Sequence, residues 1–410
     1  MNKFREFDRE KDGNSIARIW KETGWLREGK EDNMKSFVEG SDRALVAEMN
    51  GDAECLVVDW KGDMRYLDEE LPFSCVSSVT TSRIARKQGF AAKLTALAVA
   101  QDATEGAAVS GLGMFEQGFY NRLGFGTGSY ENWVSFDPGT LDIDIKPRIP
   151  SRLGKDDWKK IHEGRLNRMR GHGHTNIFKP DFTRTELSYR KESFGLGYYD
   201  EEGELSHHVY INPEKVERGP YWVRWLCYHD REEFLELMSL LKSMADQVRL
   251  VGMREPQGIQ MQDLLNKPFQ YRTITSKSEY ENKMRATAYW QVRILDLEEC
   301  LRKTKLSGEQ VRFNLKLKDP IEELLDEESP WRGISGDYIV TLGRDSRAVK
   351  GNKSNLPTLK ASVGVFTRMW LGVQPATGLH ITDELDGPVD LLKELDDVLR
   401  VPKPHPDWDF

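Results

Sequence analysis

Apolar and polar positions along this chain follow two periods, and the switches between them mark out its elements. Residues 15–21 place apolar side chains at helical spacing, while 43–48 alternate in the two-residue rhythm of a strand and 54–60 are strand-like again. Residues 73–81 predict another strand, and 90–104, dominated by Ala and Leu, predict a helix. A strand is expected over 107–112. Pro138-Gly139, Pro147 and Pro150 then interrupt the pattern and place a first boundary near 144.

Beyond that boundary the order of elements resembles the first part. A helix is expected over 158–168, then strands at 196–200, 204–211 and 221–228. Asp230 has the chemistry of an N-cap for a helix over 231–245, with Glu233 or Glu232 in its first turn, and a strand follows at 248–251. The region after 284 reads as α+β. It predicts strands at 286–294 and 310–317 with a short helix at 296–303 between them. A strand pair at 335–342 and 345–350 precedes helices at 359–371 and 391–399.

Composition narrows the functional classes. A chain of 410 residues exceeds one ordinary core, so two or three domains are expected. With 11 Trp, 13 Tyr and 17 Phe it can bury real cores, which excludes a disordered chain. No apolar run approaches the roughly 20 residues of a membrane span, and residues 1–8 hold no signal core, so a cytoplasmic protein without membrane attachment is expected. Cys55, Cys75, Cys227 and Cys300 are too scattered for a disulfide framework or a zinc knuckle, and reduced thiols are expected. The 67 acidic side chains exceed the 59 basic ones, a net charge of −8. That balance argues against nucleic acid as a partner and suits a small cationic one.

Two segments carry candidate chemistry. In the first, a strand ending at Val79-Thr80-Thr81 runs into the turn Arg86-Lys87-Gln88-Gly89, and a helix opens with Phe90-Ala91-Ala92. Small residues at 89 and 91 let a phosphate approach the backbone. The free N–H groups of the first helical turn can then meet a pyrophosphate, helped by Arg86 and Lys87. An ordinary basic helix start with one turn glycine has the same sequence. The second segment, Gly118-Phe119-Tyr120-Asn121-Arg122-Leu123-Gly124-Phe125, lies about 30 residues downstream, after the strand at 107–112. Tyr120 also fits a core aromatic with a satisfied hydroxyl.

Together, in this order and spacing, the two segments resemble the acetyl-CoA site of the GNAT N-acetyltransferases. The rest of the chain resembles the Eis (enhanced intracellular survival) type. That resemblance implies two tandem GNAT-like mixed α/β domains (1–144 and 145–284, the second without a phosphate turn), then a sterol-carrier-protein-like α+β domain (285–410). The segments Tyr289-Trp290-Gln291-Val292-Arg293-Ile294-Leu295-Asp296 and Arg368-Met369-Trp370-Leu371-Gly372 look like that family's third domain. By resemblance, the backbone of Val79, Thr80 and Thr81 pairs with pantetheine, and residues 86–92 hold the pyrophosphate. Phe115 and Glu116 are assigned to the same cofactor site. Tyr120 stands beside the CoA sulfur as general acid, and the carboxylate of a terminal Phe410 enters the site as base. Trp25, Asp32 and Asp409 are expected to receive a cationic amine of aminoglycoside or polyamine type. The resemblance also implies a homohexamer and no metal. Two features depart from the family: the phosphate turn has fewer arginines, and Ser78 stands where an aromatic is usual.

Two other functional classes fit the same sequence: a non-enzymatic carrier of an apolar ligand in the last domain, and a GNAT enzyme acting on a protein lysine. Gly171-His172-Gly173-His174 offers no third metal ligand and reads as a solvated loop. His207 and His208, adjacent on a strand, are expected on opposite faces, and the runs at 322–323, 326–328 and 396–397 as solvated helix faces.

Overall fold

The computed structural model describes residues 3–26, 29, 31–188, 191–267 and 275–409. They fall into two compact units. One comprises the chain up to Ser129, the nine residues Gly171–Lys179, and everything from Tyr289 onward; the other holds Tyr130–Arg170 and Pro180–Ala288.

The main sheet of the first unit runs, from edge to edge, Lys3–Glu6, Arg43–Met49, Asp52–Tyr66, Glu69–Thr81, Val109–Gly113, Trp290–Ile294 and Gly126–Thr127, with Thr175–Ile177 paired beside Asp52–Tyr66. Neighbours are antiparallel except Glu69–Thr81 with Val109–Gly113, which run parallel. A parallel pair needs a crossover, and the helix Phe90–Thr104 supplies it. Its Ala- and Leu-rich sequence has no polar stripe, and Phe90, Ala92, Leu94, Ala96, Ala98 and Val99 are all buried. The last turn is fastened to the sheet by charge. Arg43 reaches Asp102 at 2.5 Å and Glu105 at 2.6 Å, while Asp102 accepts the Ser74 hydroxyl at 2.5 Å. Asp59 lies 3.6 Å from the same guanidinium, and burial holds its carboxyl well above the usual range.

A second sheet of this unit has Val311–Lys318 at its centre, antiparallel to Gly336–Leu342 and parallel to Thr358–Ser362, with Arg347–Lys350 and Leu385–Asp386 outside. The helix expected over 359–371 begins only at Val363. Residues Thr358–Ser362 bury alternate side chains, the two-residue period of a strand, before the helix Val363–Trp370 takes over. The strand expected over 286–294 also divides. Lys283–Thr287 pairs with Glu131–Phe136 in the second unit, and Trp290–Ile294 enters the main sheet of the first.

The second unit is built on a seven-stranded sheet covered by the helix Arg231–Lys242, whose Leu237, Met238 and Leu241 pack with Val209, Ile211 and Val223. Asp230 caps this helix, accepting the Glu233 N–H at 2.9 Å, as its sequence predicts. His207 and His208 do face opposite ways. His207 meets Glu236 at 3.1 Å, whereas His208 accepts the Trp225 indole N–H at 3.2 Å.

Residues 171–174 are not a solvated loop. His172 and His174 are buried in the first unit. The His172 Nδ1 accepts the Leu67 N–H and its Nε2 donates to the Leu371 carbonyl, each at 3.0 Å. A short polar sequence can be buried where each ring nitrogen finds a backbone partner, which sequence alone does not reveal. The acids at 326–328 are exposed, in a turn instead of a helix. All four cysteines are free and buried.

Candidate acyl-transfer site

The parallel strands Glu69–Thr81 and Val109–Gly113 start side by side and then part. Their pairing runs from Phe73 with Val109 to Val76 with Leu112 and stops, yet the first strand continues for five more residues. On its other edge, opposite Asp52–Tyr66, the register slips, with Ser77 facing Val58 but Thr80 facing Leu56. The extra residue is a β-bulge, and Ser78 within it adopts φ +53°. A bulge bends its strand, and the neighbouring strand itself ends at Gly113, one residue past the last pair. Ser77, Ser78 and Val79 are accordingly half-exposed in the middle of a sheet. Along this stretch no described strand takes up the backbone groups on that side, which leaves donors and acceptors for an extended amide-bearing ligand.

Immediately beyond this edge lies the turn. Arg86, Lys87, Gln88 and Gly89 are all exposed, and Lys87 and Gly89 adopt φ of +61° and +82°. Gly89 is the N-cap of Phe90–Thr104, and no side chain caps that helix. The first-turn N–H groups of a 15-residue helix therefore face outward beside two cationic side chains. A Cβ built on Gly89 would meet nothing within 4 Å, so glycine is needed here for its left-handed backbone, not for space. Phe90 and Ala92 are buried behind the turn, and Ala91 packs against the same core at partial burial.

Tyr120 opens the short 3₁₀ turn Tyr120–Leu123, which Gly124 closes at φ +78°. Its ring lies edge-on to Phe119 and Phe125, at 4.8 and 6.3 Å between centroids. It shares one core with Phe90, and Val79 and Ala91 pack against that core, so the two sequence segments meet in space. Tyr120 is 8% exposed, and among the described residues its hydroxyl takes no hydrogen bond. Burial, with the neighbouring Cys55, pushes its pKa up to about 12. Cys55 itself is pushed up to about 11, chiefly by burial, with its sulfur 3.3 Å from the Thr81 hydroxyl. Sequence reasoning missed Cys55. It faces Thr81 across the sheet, a contact no local pattern encodes.

Phe115 is 85% exposed and Glu116 is exposed beside it. Phe115 does not join the Tyr120 core; its ring packs against Trp25 at 5.6 Å, and Trp25 meets Trp20 edge-on at 6.0 Å. Asp32 is exposed in the first turn of the helix Glu31–Gly40. Asp409 is half-buried, and Phe410 lies outside the described residues. The chain leading to them is held by the 171–174 segment. The His405 N–H donates to the His172 carbonyl at 3.1 Å, Ser129 donates to the Pro404 carbonyl, and Asp407 stands 3.2 Å from His174 Nδ1. Among the described residues no cluster could hold a metal ion, and no helix is long and apolar enough to cross a membrane.

No protein-family model and no curated relative matches this sequence. Solved structures do match over 100% of both chains. A conserved protein of unknown function from Enterococcus faecalis, described as a probable N-acyltransferase, superposes with a TM-score of 0.80 at 16% identity. A GCN5-related N-acetyltransferase from Anabaena variabilis gives 0.79 at 13%, and Eis1 from Mycobacterium abscessus 0.75 at 13%. Over its full length, then, this chain has the fold of GNAT N-acetyltransferases, Eis1 among them.

Proposed function

We propose that the protein is an acetyl-CoA-dependent N-acetyltransferase of Eis type, acting on the amines of a cationic small molecule of aminoglycoside or polyamine kind. The observation that carries this reading is the unpaired edge of Ser77–Thr81 running directly into an uncapped, cation-flanked helix N-terminus. Such an edge suits the amides of pantetheine, and such a terminus suits a pyrophosphate. When bound, acetyl-CoA supplies the thioester acyl group.

The chain's own groups supply the rest. Tyr120 donates its phenolic proton toward the departing sulfur. Burial raises the Tyr120 phenol to about 12, so it holds its proton throughout the neutral range. A thiolate expelled from a thioester takes that proton as it leaves, so the phenol needs to release it only as the C–S bond breaks. The Phe410 carboxylate acts as base on the acceptor ammonium, and Trp25, Asp32 and Asp409 offer it a stacking face and negative charge. The terminal part is read as sterol-carrier-protein-like, and the protein as a cytoplasmic homohexamer. Light scattering at the monomer mass of 47.2 kDa at micromolar protein would remove the assembly.

The deciding experiment incubates the protein with acetyl-CoA and a panel of aminoglycosides, polyamines and lysine peptides while following free thiol. Turnover with the cationic small molecules is expected. Turnover confined to peptides would move the acceptor to protein lysine, and failure to bind acetyl-CoA by calorimetry would end the reading.

A further inference from the structure

Among the described residues the Tyr120 hydroxyl takes no hydrogen bond, so its position is set by the packing of its ring and by its backbone. That backbone is gripped from one strand. On Trp290–Ile294, Gln291 and Arg293 are two residues apart, share one face, and are both fully buried. The Gln291 side-chain N–H donates to Asn121 Oδ1 at 2.8 Å, and Arg293 Nη1 donates to the Leu123 carbonyl. Both contacts fall within the turn Tyr120–Leu123, closed by the Phe125 N–H on the Tyr120 carbonyl at 3.2 Å. Arg293 is in turn held by Asp319 at 2.5 Å, with both side chains at 0% exposure. Asp319 accepts the Ile334 N–H at 2.9 Å and the Ile321 N–H at 3.3 Å, so its own place is over-determined.

Burying a guanidinium and a carboxylate is expensive, and an apolar pair of similar volume often stabilises a fold equally well. What an apolar pair lacks is a directional bond to a carbonyl. The space is also closed, since a Cβ on Gly124 would lie 2.7 Å from Arg293 Nη1 and 3.0 Å from Asp319 Oδ1. We infer that Arg293, locked by Asp319, is a positioning residue that holds the Tyr120 turn in register for proton donation. This rests on Tyr120 acting as the proton donor.

The test compares Tyr120→Phe, the paired replacement Arg293→Met with Asp319→Leu, and the two combined, in the full chain. Tyr120→Phe is expected to lower kcat by about 10²–10⁴. The paired replacement should lower kcat at least roughly tenfold while amine KM and acetyl-CoA affinity stay within about threefold. Added to Tyr120→Phe it should cost no more than about twofold further, because no hydroxyl remains to be placed. Unchanged kcat in the paired variant, or a loss that multiplies in full on the Tyr120→Phe background, overturns the inference. Unchanged kcat in Tyr120→Phe overturns the general-acid reading instead. Should the paired variant not fold, Arg293→Lys keeps Asp319 neutralised but cannot span both partners. A loss of about fivefold or more in kcat is expected of it, and wild-type kcat in the folded Lys variant overturns the inference.

Discussion

At the scale of single residues, two buried groups of the candidate site have their proton affinities raised together. Tyr120 and Cys55 are both buried at the end of the bulged strand, and both hold their protons through the neutral range. Tyr120→Phe preserves the ring contacts with Phe119 and Phe125, so acetyl-CoA affinity should hardly change while kcat falls by about 10²–10⁴. Retention of more than half of kcat while chemistry is rate-limiting would make Tyr120 a packing residue. Gly89 separates backbone from charge. Gly89→Ala asks a Cβ to adopt φ +82° in open space, a cost of about 1 kcal/mol in stability alone. Gly89→Glu adds an anion at the helix N-terminus and should lower acetyl-CoA affinity more than about tenfold, and calorimetry on both variants checks it. Tyr120 and the 86–92 turn were legible as neighbours, because each lies in a contiguous segment of distinctive sequence. Cys55 and Arg293 were not. A cysteine or an arginine inside an apolar strand shows its purpose only through the strand or turn it faces.

At the scale of elements, the decisive event is a one-residue slip between the third and fourth antiparallel strands of the main sheet. The β-rich composition over 73–81 predicted the strand, but not that it would bulge at Ser78. A bulge is chosen by cross-strand register, which short-range periodicity does not contain. The helix 90–104 was legible to the residue, because composition and turn chemistry agree there. The His172 segment shows the opposite limit, since its burial depends on carbonyl and amide partners at Leu371 and Leu67, far away in sequence. It also makes a prediction about pH. With Nδ1 accepting and Nε2 donating, His172 is held neutral, and burial lowers its pKa to about 4 from an ordinary value near 6.5. A depressed histidine pKa gives stability that is complete above about pH 6.5 and is lost as pH falls toward 4. The unfolded chain takes the proton first. Buried carboxyls such as Asp59 shift in the opposite sense, so the measurement must be a difference. The stability advantage of wild type over His172→Gln should shrink by about 1.4 kcal/mol per pH unit between about pH 6.5 and 4. A pH-independent difference in urea denaturation would show that His172 is not held neutral.

For the whole molecule, the route of the chain matters more than any one sheet. It leaves the second unit for nine residues, Gly171–Lys179, adds the strand Thr175–Ile177 to the main sheet of the first, and returns. Nothing in the sequence announced this excursion, because the segment is too short and too polar to read as an element. Its role becomes visible only where the last residues of the described chain meet it. Gly173 adopts φ +83° with Pro404 directly over it, and a Cβ there would stand 2.5 Å from Pro404 Cβ and 2.7 Å from the His405 nitrogen. Neither neighbour can yield easily. Proline has no freedom in φ, and the His405 N–H is committed to the His172 carbonyl. Trp408, buried to 2% exposure, then fixes the approach to Asp409. Gly173→Val should therefore lift the tail from its seat without touching the phosphate turn or Tyr120. Carboxypeptidase should release residues from the variant at least about tenfold faster than from wild type, since cleavage tracks the population of the opened segment. If the end of the chain takes part in accepting the ammonium proton, kcat/KM for the amine falls in parallel while acetyl-CoA affinity stays unchanged. A tail that loosens while turnover persists would remove the terminal carboxylate from the mechanism and leave the clamp in place. A tail that stays resistant to carboxypeptidase in Gly173→Val would show that Pro404 is not what Gly173 holds.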